Sequence, residues 1–279
     1  MKLSTSFVKF KKIHKSKNNQ AICYSRNCGD YSFVENLYKF ILAKKNSFIF
    51  ESVEKGIVRG RYTIMGFNPD RIYNVKKNKI IIDDLKKRTV IKKNVLKYLN
   101  ELFENFKVKS YGNMPRMSSM LVGYFSYDII RLIEKIPDKC KGDIKIPDIR
   151  LMRPRNLIIY DNVKKKIFYI INIFKEESIS NYELKYQSIK NNFAELENFG
   201  KIKLPENFYK SNNNVKVRSN ISRSKFKKIV LKAKDYIKKG DVFQVVLSQR
   251  FESSIKKPPL EIYNTLRVLN PSPFMFYFN

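Results

Sequence analysis

Phe226, Ile229, Val230, Ala233, Tyr236 and Ile237 recur at i, i+3, i+4, i+7, i+10 and i+11, one face of an α-helix that begins near Ser222. Gly240 stands where that helix must close, because glycine enters the left-handed cap without a Cβ penalty. The run Val242-Phe243-Gln244-Val245-Val246-Leu247-Ser248 follows at once and predicts a strand. Elsewhere, helical stripes and hairpin signals mix without regular βαβ alternation. The pattern predicts an α+β fold of largely antiparallel sheets packed with helices.

Ser32 and Glu35 have capping-box spacing and predict a helix with Ser32 as N-cap and Phe33, Leu37, Phe40 and Ile41 facing the core. Residues 47–53 predict a strand pairing with 62–66 across a Lys55-Gly56 turn. Residues 71–75 and 79–83 predict a hairpin, as do 157–160 and 167–173 turning at Asp161-Asn162. Val95, Leu96, Leu99, Leu102, Phe103 and Phe106 form another helical stripe, 120–127 predicts a buried strand, and 182–199 predicts a helix.

Periodicity fades over 200–214, which contains Pro205 and Ser211-Asn212-Asn213-Asn214. This places a linker at 200–218 between domains at 1–199 and 219–279. Pro259 opens a short helix that Asn270-Pro271 ends. Residues 275–278 then predict an aromatic strand that reaches Asn279 without a turn or partner, so the fold is expected to be incomplete at its C-terminus.

The net charge of +32 is spread along the whole length rather than gathered into an arm or stripe. It reads as a lysine-rich solvated surface, not as a specific nucleic-acid footprint. Cys23, Cys28 and Cys140 lack zinc-type spacing, and His14 is a poor third ligand, so free thiols in a reducing cytoplasm are expected. No apolar run reaches the ~18 residues of a membrane span.

The segment AKDYIKKGDVFQVVLSQRF at 233–251, with Asn270-Pro271-Ser272-Pro273-Phe274-Met275-Phe276 after it, resembles the opening of the chorismate-using domain of anthranilate synthase component I. Met120-Leu121-Val122-Gly123-Tyr124-Phe125-Ser126-Tyr127-Asp128 resembles that family's glycine-aromatic strand. Phe50-Glu51-Ser52-Val53-Glu54, followed by Arg59-Gly60-Arg61-Tyr62, is similar to its Leu-Leu-Glu-Ser stretch. These four blocks stand in family order over most of the chain.

The resemblance implies a pocket for L-tryptophan, a feedback inhibitor, lined by Glu51, Ser52, Arg61, Pro273, Phe274 and Met275. Glu51 or nearby carbonyls would take the ammonium, donors the carboxylate, and Pro273, Phe274 and Met275 the indole. Family members commonly carry tyrosine where Phe274 stands. Read without the family, Ser52 is a cross-strand hydrogen-bonding residue, Phe274 and Met275 are core, and Arg61 is a solvated charge.

Gln244 occupies the place where the water-using branch of the superfamily carries a basic lysine. An amide takes no proton at neutral pH, which favours ammonia as nucleophile, unless Gln244 merely bonds across a sheet. The resemblance implies that chorismate and ammonia give anthranilate and pyruvate, with Mg2+ and a glutamine amidotransferase subunit as partners. The family's Mg2+ ligands and catalytic residues lie beyond Asn279, so this chain is expected to be inactive alone. The alternatives are aminodeoxychorismate synthase component I and a non-catalytic tryptophan-binding module.

Overall fold

Hairpin signals along the chain resolve into a single large sheet. The computed structural model describes residues 1–52, 60–84, 87–109, 114–138, 144–202, 216–255 and 257–279. In chain order the elements are α1 (Phe7–Lys15), β1 (Asn19–Asn27), α2 (Tyr31–Leu42), β2 (Phe48–Glu51), β3 (Tyr62–Lys76), β4 (Lys79–Asp84) and β5 (Arg88–Lys92). They continue with α3 (Val95–Asn105), β6 (Val108–Lys109), β7 (Val122–Phe125), a 3-10 helix (Tyr127–Leu132), β8 (Ile149–Asp161), β9 (Lys166–Ile173) and α4 (Tyr182–Lys201). Last come β10 (Val217–Ser219), α5 (Arg223–Lys238), β11 (Phe251–Ser253), α6 (Pro259–Leu269) and β12 (Met275–Phe278).

The chain divides into two compact units, residues 1–204 with 263–279, and residues 205–262. The first holds the large sheet, ordered β12-β2-β3-β8-β9-β1-β6, with β4 and β7 joined to β3 and β8. Its pairings are antiparallel except β1–β6, as an α+β reading requires.

Helices α1, α2 and α4 supply Phe10, Leu37, Ile41 and Phe193, each 0% exposed. Burial of a side chain of this size is worth about 1.5–3 kcal/mol. Phe40 of α2 stacks on Phe199 of α4 at 3.9 Å. Phe48, Leu157, Ile159, Phe168 and Ile170 form a further cluster, against which Met114, Met117 and Met120 pack. α3 contributes Val95 and Leu99 to a third cluster with Tyr73, Val75 and Leu151.

Several local expectations are corrected. Asp30, not Ser32, caps α2, its carboxylate accepting the Ser32 N–H at 2.9 Å and the Ser32 hydroxyl at 2.8 Å. The helix already begins at Tyr31, so Ser32 lies inside its first turn and Asp30 stands at the capping position. Residues 62–66 and 71–75 are not separate strands but one, β3, running through Pro69. Pro69 sits opposite Pro154, and the register shifts between Pro69 and Arg71, so a bulge absorbs the missing amide donors.

The strand expected at 120–127 is only Val122–Phe125; Tyr127 opens the 3-10 helix and is 84% exposed. Within it, Gly123 lies so close to β8 that an added Cβ would stand 1.7 Å from the Arg150 carbonyl oxygen. Only a glycine backbone permits that approach. The other hairpins and the α4 helix form as the turns and periodicity indicate. The Lys55-Gly56 turn, Cys140, Pro205 and 211–214 lie outside the described residues.

In the second unit, Ser222 caps α5 and Gly240 closes it at φ +77°. The strand expected at 242–248 does not form: Phe243 and Val246 are fully or largely exposed. β propensity without a ladder partner does not hold a strand. The partner of this region, β10, reaches only Phe251–Ser253.

Candidate ligand site on strands β2 and β12

β2 is a short, aromatic strand that ends in a carboxylate, and its outer edge needs a ladder partner. β12 supplies it. The strand expected to reach Asn279 unpaired pairs along its full length with β2, Phe278 opposite Phe48, Tyr277 opposite Ile49, Phe276 opposite Phe50 and Met275 opposite Glu51. The Asn279 N–H continues the ladder to the Ser47 carbonyl at 2.9 Å. Phe50 and Phe278 meet edge to face at 5.6 Å, an arrangement that adds to area burial.

This pairing sets the buried Glu51 at the centre of a polar cluster. α6 begins at Pro259, which is preorganised for a first turn, and its spacing puts Tyr263 and Arg267 on one face. The Tyr263 hydroxyl donates to Glu51 Oε1 at 2.6 Å, and Arg267 Nε stands 3.1 Å from the same oxygen. The Tyr38 hydroxyl of α2 donates to Glu51 Oε2 at 3.3 Å. Tyr31 joins Tyr38 at 2.8 Å and accepts from Arg267 at 3.0 Å, and Glu35 stands 3.4 Å from Arg267. Burial raises the hydroxyl pKa values of Tyr38 and Tyr263, and the adjoining Glu51 carboxylate raises them further. Both phenols are donors at neutral pH.

Of the residues singled out from sequence, the sheet brings Glu51 and Met275 into register, with Ser52 and Phe274 as their chain neighbours. Met275 is buried, Ser52 and Pro273 are half-buried, and Phe274 is 85% exposed. Arg61 is engaged elsewhere. Its guanidinium lies on Asp161 in the β8–β9 turn, at 3.0 Å, and the Val163 and Lys164 N–H groups share that carboxylate. Gln244 belongs to the second unit, on an exposed segment without strand structure.

Tyr38, Tyr263 and Arg267 were missed in the sequence. The i, i+4 spacing of Tyr263 and Arg267 was a signal, but their target lies 212 residues away from Tyr263. The buried His14 pairs through Nδ1 with the Tyr182 hydroxyl at 3.0 Å. Among the described residues, no group of three or more His, Cys, Asp or Glu is placed to hold a metal ion. Among the same residues, no helix is long and apolar enough to cross a membrane.

The family model for chorismate binding enzymes matches residues 45–279. The chain is 36% identical over 248 residues to anthranilate synthase component 1 of Acetivibrio thermocellus, covering 87% of this chain and 50% of the relative. It is 32% identical over 282 residues to anthranilate synthase component 1 of Cereibacter sphaeroides, covering 99% of this chain and 56% of the relative. The crystal structure of anthranilate synthase component I from Streptococcus pneumoniae TIGR4 aligns with a TM-score of 0.62 at 27% identity, covering 78% of this chain and 47% of that one. The chain thus spans about half the length of the curated relatives it matches.

Proposed function

Because the chain belongs to the chorismate binding enzyme family, we propose that it carries the regulatory wall and the first chorismate-domain elements of a cytoplasmic anthranilate synthase component I. In this reading ammonia, released from glutamine by a partner amidotransferase subunit, adds to C2 of chorismate, and pyruvate is eliminated to leave anthranilate. The observation that supports it is the β2–β12 register, which sets Met275 opposite Glu51 and so puts the 51–52 and 273–275 segments side by side. Those are the two stretches that the tryptophan-binding reading requires together.

The geometry refines the roles. Glu51 already accepts from Tyr263 and Tyr38 and faces Arg267. It therefore acts as the tie that seats α6 and β12 on β2, and the ammonium of bound tryptophan falls to backbone carbonyls and the Ser52 hydroxyl. Met275 and Pro273 form the apolar side of the slot. Gln244, an amide where a base on water would be needed, supports ammonia as the nucleophile. Among the described residues no three His, Cys, Asp or Glu stand together to hold a metal ion, and no step is assigned to Mg2+ within this chain.

The test is a chimera that joins this chain to the remaining part of the Acetivibrio thermocellus relative, assayed with chorismate, Mg2+ and ammonia. The expected result is anthranilate fluorescence with stoichiometric pyruvate. A folded chimera that consumes chorismate without releasing pyruvate would move the assignment to aminodeoxychorismate formation.

A further inference from the structure

A cleft of about 260 Å3 lies where the β3 bulge, the C-terminal half of α3 and the segment after β9 converge. Its floor is Arg153, a guanidinium only 5% exposed. Asp70, re-aimed by the bulge, grips it from one side at 2.5 and 2.8 Å, and the Phe174 ring lies 3.8 Å from its carbon. Arg71 stands beside it, lying against the Tyr73 hydroxyl, and Lys175 adds a third cation at the rim. Tyr98, Leu102 and Phe106 make the apolar wall.

Glu176 spans the two guanidiniums, 3.5 Å from Arg71 and 3.5 Å from Arg153. Well-formed charge-assisted contacts of this kind close to about 2.7–2.9 Å. Glu176 therefore bridges both cations without closing on either. Partial burial acts to raise its pKa, but the Arg153 charge, its own backbone N–H and Arg71 outweigh this and hold it below the usual carboxylate value. Arg71 keeps a side chain 31% exposed, so its planar fork remains accessible.

We propose that this cleft is a second small-molecule site, which takes a single-ring monocarboxylate whose carboxylate occupies the position Glu176 now bridges. The volume fits one ring, being just below the range of about 300–1,000 Å3 typical of drug-sized ligands. The ring lies against Tyr98 and Phe106, and the carboxylate meets the Arg71 fork. Glu101 at the rim disfavours a second negative charge, which selects against dicarboxylates and phosphates. The inference is independent of the activity proposed above, since none of these residues belongs to the β2–β12 site.

Benzoate titrated into the full chain and followed by NMR tests it, with neutral benzamide as the shape-matched control. The expected result is saturable binding of benzoate and none of benzamide. Glu176→Gln should tighten benzoate by about threefold or more, because the internal competitor loses its charge. Arg71→Gln should weaken it by about tenfold, the loss of one charge-assisted contact. Should Arg71→Gln fail to fold, the Glu176→Gln affinity decides alone. Equal binding of benzoate and benzamide, no benzoate binding by either wild type or Glu176→Gln, or no tightening in Glu176→Gln would each overturn the proposal.

Discussion

Changing Glu51 to leucine is expected to lower stability by about 3–5 kcal/mol, the cost of removing one partner from a buried charged pair. The Glu51 side chain is 2% exposed, and its carboxylate is the meeting point of Tyr263, Tyr38 and Arg267. Without it, two phenol donors lose their carboxylate acceptor, and the Arg267 guanidinium, 22% exposed, keeps Tyr31 and Glu35. The loss falls on the contact between β2 and the 263–279 segment. Tyr263→Phe, which deletes a single hydrogen bond, should cost about 0.5–1.5 kcal/mol and serves as the graded control. Urea denaturation monitored by circular dichroism measures both. A Glu51→Leu midpoint equal to wild type would show that the cluster is not what holds β12 in place.

Arg153→Leu is expected to cost a similar amount, about 3–5 kcal/mol, because it strands Asp70 in a nearly closed site. Arg153 and Asp70 are 5% and 9% exposed, and the two-pronged contact between them is the best-formed ion pair of the β3 bulge. Breaking such a pair is far costlier than replacing it whole. The double variant Arg153→Leu/Asp70→Leu should therefore regain most of the loss, and a double-mutant cycle on the urea midpoints isolates the coupling. A double variant no more stable than Arg153→Leu would refute this account of the bulge.

Where sequence and structure agree, the signals are local. Asp161-Asn162 turns β8 into β9 and Gly240 closes α5, each through its own backbone preference, while Lys76-Lys77-Asn78 turns β3 into β4 with Lys77 held in the left-handed region at φ 52°. Where they part, a distant partner decided. Residues 242–248 carry strand-forming side chains yet find no ladder, whereas 275–278, which looked unpaired, find one in β2. β3 continues through Pro69 because β8 offers Pro154 opposite it, which no window of local sequence contains. The candidate site divides in the same way: the family's motifs nominate Glu51, Ser52 and Met275, whereas the commitment of Arg61 to Asp161 and the clamp of Tyr263 and Arg267 on Glu51 depend on tertiary approach.

The measurement that bears most directly on the β2–β12 site is inhibition of the chimera's anthranilate formation by L-tryptophan, compared between wild type, Ser52→Ala and Met275→Ala. In the proposed site Met275 packs on the ligand; removing such an apolar side chain is worth about 1.5–3 kcal/mol, so half-inhibition in Met275→Ala should need roughly tenfold more tryptophan, with a shift in the same direction for Ser52→Ala. An active chimera that tryptophan does not inhibit, or one inhibited equally with and without the Ser52 and Met275 side chains, would contradict the account.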